Sequence, residues 1–359
     1  MYKRQSQDPD EGDTSSPSQP ATATDANTAT DANTTTTTSI QRVDQENDGA
    51  TPTTAAPPTT TITAPIAAVV ESAPRGRLTG VSLFADPTNS AAQWADNNPQ
   101  DPRSNVIASR IGNQPIARWF GEWSGDITSA VSTYVNNAAA ADSVPMLVVY
   151  NIPDRDCGQH SSGGAANFEE YGAWIDSLAA GLGNNPAIII LEPDAIALNG
   201  CAGSGRNLAL SNAVNTIKNA CGQCRVYLDA GHSNWVSPTD MAGRLTNAGL
   251  AYADGFSTNI SNYNLTADES AYGAQVLAAL GNPTGIGQVI DASRNGNGAN
   301  GEWCDPAGRA VGANPTVSTG VAHVHAYLWI KVPGEADGCI ASAGDFVPDQ
   351  AVALANNQS

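Results

Sequence analysis

The sequence predicts an α/β fold, a distorted (β/α) barrel of seven to eight parallel strands with helices outside. Short apolar runs alternate about eight times with longer helix-like stretches, which is typical of parallel strands joined by helices. Several middle runs, such as Met146–Val149, are almost continuously apolar, as expected for strands buried on both faces. In such a barrel the functional residues lie at the carboxyl ends of the strands.

The predicted elements follow one another along the second part of the chain. Strands are expected at residues 80–84, 115–120, 145–151, 187–192, 225–229, 255–259, 288–291 and 326–331. Helices are expected at residues 126–141, 167–182, 207–220, 238–248 and 266–280. Pro238 after Ser237 suits the first turn of a helix, and Glu269 stands three residues after Thr266 as in a capping box.

Residues 1–77 differ in composition from the rest of the chain. Thr, Pro, Ala, Ser, Asp and Asn dominate, and apolar periodicity is almost absent. Such a stretch buries too little apolar surface to offset the loss of chain entropy on folding. We therefore expect a disordered Thr/Pro/Ala-rich linker at residues 1–77, followed by one large domain at residues 78–359.

Charge and cysteine content restrict the partners and the compartment. The formal net charge of −19 disfavours nucleic acid and anionic membranes as partners. No apolar run reaches the roughly 18 residues that a membrane span needs. The six Cys in a secretion-like sequence predict disulfides and an oxidising compartment. We expect a secreted, extracellular protein, although polar residues follow Met1 where a signal peptide would have its apolar core.

Carboxylates follow five of the predicted strands at the point where each strand ends. They are Asp154, Asp156, Glu192, Asp194, Asp229, Asp291, Glu335 and Asp337. Crowded acidic groups shift one another's pKa values apart, so that one stays protonated while others ionise. Glycoside hydrolysis needs that combination, a neutral acid for the leaving oxygen and an anion for water or for the cation-like transition state.

Two other interpretations compete with a sugar-cleaving site. Asp and Glu at strand ends often cap helices, and carboxylate clusters also suit Mg²⁺ or Ca²⁺. Aromatic side chains in the same loops favour a sugar cleft, because indole rings can cover the apolar faces of pyranose rings. These aromatic residues are Trp119, Trp123, Tyr150, Trp235 and Trp303. Trp174 and Trp329 are expected in the core instead.

Six motif blocks follow one another in the second part of the chain. They are Asn151-Ile-Pro-Asp-Arg-Asp-Cys-Gly, His160-Ser-Ser-Gly-Gly, Leu191-Glu-Pro-Asp, Asp229-Ala-Gly-His-Ser, Ser293-Arg-Asn-Gly and Pro333-Gly-Glu-Ala-Asp-Gly-Cys. In this order the blocks resemble glycoside hydrolase family 6, the inverting cellulases. The resemblance implies that residues 78–359 are a catalytic domain that hydrolyses β-1,4-glucosidic bonds of cellulose, without a cofactor or metal.

The resemblance also implies roles for four aspartates. Asp194 would be the general acid that protonates the glycosidic oxygen, with water as the nucleophile. Asp156 would tune that acid and stabilise positive charge on the sugar, and Asp229 would bind substrate or modulate the other two. Asp337 would be the candidate base, with a water relay to Asp156 as the alternative.

Further residues would position water and substrate according to the same resemblance. Ser162 would help to hold the attacking water, and Tyr150 would press on the distorted sugar at the cleavage point. The expected sugar contacts are Trp119, His232, Trp235, Asn262, Arg294, Trp303, Lys331 and Glu335. Salt bridges at the rim are the alternative for the charged members of this set. Asn264 and Leu265 stand where relatives often carry an aromatic or basic pair, so one sugar contact is expected to be missing.

The six cysteines fall into three pairs. The resemblance implies disulfides Cys157–Cys201 and Cys304–Cys339, each holding a loop beside the site. Cys221 and Cys224 lie outside the family pattern, and we expect either a local disulfide or two free thiols. No metal site is predicted, because neither this pair nor His323 with His325 has further ligands at a suitable spacing.

The domain is expected to cut within chains. Eight strand–helix units of about 30 residues fill most of it, which leaves little room for the long loops that roof the cleft of end-acting relatives. An end-acting cellobiohydrolase is the alternative within the family, and a non-catalytic glucan-binding module is the alternative from another class. The expected partners are cellulose, cello-oligosaccharides and a carbohydrate-binding module beyond the linker, with the enzyme itself a monomer.

Overall fold

Seven parallel strands form one curled sheet. The computed structural model describes Leu78 and residues 80–158, 161–198, 200 and 205–357, and the predicted linker at residues 1–77 lies outside this part. The strands are β1 (Arg118–Phe120), β2 (Met146–Val149), β3 (Ile188–Leu191), β4 (Arg225–Asp229), β5 (Gly255–Thr258), β6 (Gly287–Asp291) and β7 (Val324–Leu328). Each strand pairs in parallel with the next one in chain order. Beside β1 and β7 an isolated bridge joins Ile116 to Trp329, so the predicted distorted barrel is confirmed.

The first predicted strand, residues 80–84, is wrong. Leu83 makes only an isolated bridge to Val144, just before β2 begins. From Leu147 onward that edge of β2 is paired with Arg118 of β1, and one strand edge can bind only one neighbour at a time. The last predicted strand, residues 326–331, exists but begins and ends earlier, as β7.

Eight α-helices are found among the described residues. They are α1 (Ser90–Asn97), α2 (Ser104–Ile107), α3 (Ile127–Ala140), α4 (Phe168–Leu182), α5 (Arg206–Ala220), α6 (Pro238–Asn247), α7 (Thr266–Ala279) and α8 (Pro348–Asn356). The five predicted helices correspond to α3 to α7 and are confirmed. The side chains of Asp126, Asn167 and Ser237 cap α3, α4 and α6 by accepting backbone N–H groups. Sequence reasoning missed α1, α2 and α8. Helix α2 has only four residues, and the buried faces of α1 and α8 are mostly alanine and give a weak apolar pattern.

The predicted capping box of α7 is wrong. Leu265 stands at the N-cap position, and no side chain caps this helix. The Thr266 hydroxyl instead accepts a hydrogen bond from Asn295 Nδ2 over 2.9 Å. Glu269 accepts the backbone N–H of Ser233 over 3.0 Å. The Glu269 carboxylate, which the local pattern assigns to the helix end, therefore binds the loop at Ser233 instead.

Successive residues of each strand pack on opposite faces of the sheet. From β2 and β3, one set packs against the helices: Leu147, Val149, Ile189 and Leu191. The other set fills the barrel interior: Met146, Val148, Ile188 and Ile190. Both faces are buried, which explains the near-continuous apolar runs. Polar side chains therefore collect where the strands end.

Two disulfides are present among the described residues. Cys304 and Cys339 are bonded as predicted, with their Cα atoms 5.9 Å apart. Cys221 and Cys224 form the local disulfide that was one of the two alternatives. Cys201 lies outside the described residues, so the Cys157–Cys201 pair stays a prediction. The Cys304–Cys339 bond ties the loop before β7 to the loop after it.

Candidate active site

Buried carboxylates meet at the carboxyl ends of the strands. The members at or just after strand ends are Asp156, Glu192, Asp194, Asp229, Asp291 and Asp337. None of them is more than 4% exposed. A buried anion is stable only when hydrogen-bond donors or cations surround it, so the neighbouring loops determine what each carboxyl group can do.

Asp194 lies in a bend directly after β3. Asp194 (φ 71°) and Glu192 (φ 51°) both have left-handed backbone conformations, which are uncommon for residues other than glycine and concentrate at functional sites. The Asp194 backbone N–H donates to Asp229 Oδ2 over 2.8 Å. The end of β4 therefore fixes the backbone of the predicted acid.

Asp229 is the last residue of β4 and has no exposed surface. It also accepts the Gly231 N–H over 3.1 Å and the Ser257 hydroxyl over 3.3 Å. Burial raises the pKa of Asp229 to about 7, although the amides of Asp194 and Gly231 act to lower it. With these bonds made inside the protein, Asp229 acts on its neighbours more readily than on a sugar.

The loop after β2 carries Asp156 and Ser162. Asp156 has a left-handed backbone (φ 52°), and its Oδ2 accepts the Ser161 N–H over 2.8 Å. Arg155 donates to the Ser161 carbonyl over 2.8 Å and to the Ser162 carbonyl over 3.2 Å. Ser162 itself is exposed, so it borders solvent beside a buried carboxylate.

Tyr150 connects this loop with Asp194. Its ring contacts the Trp119 ring edge-on at 5.3 Å between centroids, and the Arg155 guanidinium lies 4.5 Å from the centre of the Tyr150 ring. Burial and the negative charges of Asp194 and Asp156 raise the pKa of Tyr150 well above its ordinary value. Tyr150 therefore lies within electrostatic reach of both predicted catalytic carboxylates.

Asp337 is held by cations and by hydrogen-bond donors. Arg294 Nη1 lies 2.8 Å from Oδ2, and Lys331 Nζ lies 3.5 Å from Oδ1. The Tyr263 hydroxyl and the Asp305 N–H also donate to Oδ2. Burial acts to raise the pKa of Asp337, but the charges of Arg294 and Lys331 outweigh it and hold this pKa below its ordinary value. Arg294 and Lys331 therefore both form salt bridges with Asp337 inside the protein.

A cavity of about 490 Å³ lies beside β1 and the segment after β7. Four of its lining residues are Trp119, Trp123, Lys331 and Glu335. The Trp119 indole N–H donates to the Ile330 carbonyl over 2.8 Å, which fixes the ring across the gap between β1 and β7. Asp156 and Asp194 do not line this cavity, and the Trp119–Tyr150 contact connects it with them.

The remaining predicted sugar contacts differ in accessibility. His232 is 3% exposed, and its ring lies 5.3 Å from that of the half-buried Trp235. Asn262 is 1% exposed and accepts the Tyr263 N–H over 2.6 Å. Trp303 is half-buried. Trp235 and Trp303 therefore keep accessible surface, whereas His232 and Asn262 are almost closed off from solvent.

Sequence reasoning missed residues that hold the site from behind. Asp305 accepts the Asp337 backbone N–H over 2.7 Å, and Glu122 forms an ion pair with Arg155 over 2.7 Å. Asp305 does not follow a strand, so the search at strand ends did not select it. Glu122 lies two residues after β1, but the search at that strand end selected only the aromatic residues. The neighbouring Cys304 is the one sequence signal that points to Asp305.

Membrane spans and metal sites were sought in the part of the chain that the structure describes. No helix there is long and apolar enough to cross a bilayer. No group of three or more His, Cys, Asp or Glu side chains in the same ranges is arranged to hold a metal ion. The expectation of a metal-free reaction stays a prediction.

Comparisons with known proteins agree on one family. Residues 78–357 match Glycosyl hydrolases family 6. Endoglucanase A from Thermobispora bispora is 48% identical over 283 residues, which are 77% of this chain and 62% of that enzyme. Endoglucanase 1 from Streptomyces sp. (strain KSM-9) is 50% identical over 270 residues, 73% of this chain and 75% of that enzyme. The endoglucanase Cel6 from Mycobacterium tuberculosis, solved with methyl-cellobiosyl-4-deoxy-4-thio-β-D-cellobioside, superposes with a TM-score of 0.72 and 40% identity, covering 78% of this chain and 98% of that one.

Together with this family match, the curled parallel barrel, the buried carboxylates at its strand ends and the aromatic-walled cleft identify a glycoside hydrolase. The chain belongs to glycosyl hydrolase family 6, and the resemblance seen in the motif blocks is confirmed. It spans less than two thirds of the Thermobispora enzyme and about three quarters of the Streptomyces enzyme.

The protein should lose stability as the pH rises from about 4 to about 8. Burial raises the pKa of Glu192 and of Asp229 to about 7, from 4.5 and 3.8. The folded state therefore holds protons that the unfolded chain has released, and the free energy of unfolding falls across this window by on the order of 3 kcal/mol per group. Urea unfolding at a series of pH values measures the slope.

Glu192→Gln should flatten this slope, because glutamine does not titrate. Glu169→Gln, on the exposed face of α4, serves as the control and should keep the wild-type slope. Stability that is constant or rises between pH 5 and 8 in the wild type would contradict the assignment of these two carboxyl groups.

Proposed function

We propose that this protein is an inverting endo-β-1,4-glucanase, which hydrolyses internal bonds of cellulose with Asp194 as general acid and water as nucleophile. The observation that carries the proposal is the set of buried carboxylates beside the cleft lined by Trp119 and Trp123. Family membership and relatives named endoglucanases at 42–50% identity support the endo mode of action.

Asp194 suits the role of the acid because of its surroundings. It is 1% exposed and follows β3 at the carboxyl end of the sheet. Its backbone is fixed by the hydrogen bond to Asp229, so the carboxyl group presents its proton from a defined position. Tyr150, within electrostatic reach of Asp194, would contact the distorted sugar at the cleavage point.

The proposed base is Asp156, acting through water, in preference to Asp337. A base must take up a proton, and the charges of Arg294 and Lys331 hold the pKa of Asp337 below its ordinary value, which makes it a weak acceptor. Asp156 accepts the Ser161 N–H, and the exposed Ser162 is the next residue along the chain. A water held near Ser162 would pass its proton towards Asp156, while Asp337 fixes Arg294 and Lys331.

The glucan chain would lie along the cleft beside β1. Trp119 and Trp123 offer ring surface to the apolar faces of sugars, and Lys331 and Glu335 offer hydrogen bonds to hydroxyl groups. Trp235 and Trp303 would serve sugars further along the chain. The Mycobacterium enzyme was solved with a thio-linked cello-oligosaccharide, which supports a chain of several glucose units as the ligand here.

The proposed setting is extracellular. Two disulfides among the described residues suit an oxidising compartment, and insoluble cellulose is outside the cell. The proposed enzyme is a monomer, with a carbohydrate-binding module beyond residues 1–77.

Asp194→Asn should lower kcat on cellotetraose by about 10²–10⁴-fold, because it removes the proton donor to the leaving oxygen. Asp240→Asn, on the exposed face of α6, should retain wild-type activity. Undiminished hydrolysis by Asp194→Asn would show that another residue is the acid. A wild-type protein that binds cello-oligosaccharides without cleaving them would instead be a binding module.

The products should show inversion at the anomeric carbon. A water that attacks from the face opposite the leaving group converts a β-linked substrate into an α-anomer. Proton NMR of the first products from cellotetraose, recorded before mutarotation, measures the ratio of anomers. An early excess of the β-anomer would contradict the single-displacement mechanism.

The viscosity of carboxymethylcellulose should fall early, when few reducing ends have formed. A cut within a chain halves its length, whereas release of cellobiose from an end hardly changes it. Viscometry and a reducing-sugar assay on the same samples give this ratio. Slow thinning with abundant sugar release would identify an end-acting cellobiohydrolase.

A further inference from the structure

Glu192 is a buried carboxylate that the proposed reaction does not use. It has no exposed surface and lies two residues before Asp194. Its backbone N–H donates to the Val149 carbonyl over 2.9 Å and so extends the pairing of β2 with β3. Regular parallel pairing would next join the Asn151 N–H to the Glu192 carbonyl. The left-handed bend at Glu192 turns that carbonyl away, and it accepts the Ala195 N–H over 3.2 Å instead.

The side chain of Glu192 replaces the missing backbone acceptor. The Asn151 N–H lies 3.0 Å from each carboxylate oxygen, and the Ile152 N–H lies 3.0 Å from Oε2. Asn151 directly follows Tyr150, and Asp156 lies further along the same loop. One carboxylate therefore joins the loop of Tyr150 and Asp156 to the bend that carries Asp194.

We propose that Glu192 is a positioning residue, which holds Tyr150 and Asp156 in register with Asp194 by binding the backbone amides of the loop after β2. This inference rests on the proposed function. Glu192 does not touch the sugar, since it is closed off from solvent and faces backbone. It acts by keeping Asp194 at a fixed distance from Tyr150 and Asp156, which lie in the loop after the neighbouring strand β2.

Arg206 of α5 makes a second connection between the same two segments. Its guanidinium donates to the Asp154 carbonyl over 2.9 Å and to the Pro153 carbonyl over 3.2 Å. It also donates to the Ala195 and Leu198 carbonyls, both over 3.3 Å. Glu192 binds N–H groups and Arg206 binds carbonyl groups, so neither segment can move alone without losing buried hydrogen bonds.

The groups around Glu192 indicate that the length of its side chain matters more than its charge. Arg155 from the loop after β2, Tyr171 from α4 and Arg206 from α5 face it. Burial raises the pKa of Glu192 to about 7, against the effect of the Asn151 and Ile152 amides and of Arg155. A neutral carboxyl group still offers an acceptor oxygen, so the connection persists at acidic pH.

Three substitutions separate reach from charge. Glu192→Gln keeps the length and one acceptor oxygen, and its NH₂ group can donate to the Tyr171 hydroxyl. Glu192→Asp keeps the charge but is one methylene too short, and Glu192→Ala removes the acceptor. We expect kcat on cellotetraose within about threefold of wild type for Gln, about tenfold lower for Asp and about 10²-fold lower for Ala. KM should stay within about threefold throughout, because the residues that line the cleft are unchanged.

Asp254→Asn provides the matched control at the opposite end of the barrel. Asp254 is equally buried, and it accepts the Val226 N–H over 2.9 Å and an ion pair from Lys218 over 2.8 Å. This variant should be less stable than the wild type. Its kcat, corrected for the folded fraction that circular dichroism gives, should equal that of the wild type. A Glu192→Asp variant more active than Glu192→Gln would show that charge is what matters and overturn the proposal.

A loss of activity in the Glu192 variants that comes from a higher KM at unchanged kcat would also overturn the proposal. If Glu192→Ala does not fold, the comparison of Gln with Asp decides alone. Wild-type enzyme and Asp194→Asn are assayed alongside. No cleavage by the wild type would refute the proposed function itself, whereas normal cleavage with equal kcat in all Glu192 variants would refute only the positioning role.

Discussion

Hydrogen bonds from backbone N–H groups to buried carboxylates hold the strand ends of this barrel together. Asp229 binds the amide of Asp194, and Glu192 binds those of the loop after β2. Asp291 accepts four amides, those of Ser261, Ser293, Ile330 and Lys331. Each buried carboxyl group would be unstable without these donors, and each loop would lack an acceptor without the carboxyl group. The shape of the site and the charges in it therefore depend on each other.

The same buried setting gives carboxyl groups of opposite character. Asp229 has only neutral donors around it, and burial raises its pKa to about 7. Asp337 is equally buried but lies against Arg294 and Lys331, and its pKa is held below the ordinary value. A site with both kinds of partner holds carboxyl groups of different protonation at one pH.

Local patterns predicted the elements, whereas long-range contacts decided the exceptions. Apolar runs and caps such as Asp126 depend on neighbours in the sequence, so strands and helices were predictable. Residues 80–84 do not form a strand, because β1 already pairs with the edge of β2 that they would need. Glu269 does not cap its own helix, because it accepts the Ser233 N–H. Glu192 binds amides some 40 residues away in the sequence. Carboxylates at strand ends were visible in the sequence, but their partners were not.

The gap between β1 and β7 affects where a bound molecule can lie. Backbone pairing there is limited to the bridge between Ile116 and Trp329, and Trp119 reaches across to Ile330. Trp119 and Lys331 stand on opposite sides of this gap, and both line the cavity of about 490 Å³. A molecule bound in that cavity would therefore lie along the seam between the first and last strands, where only an isolated bridge joins them.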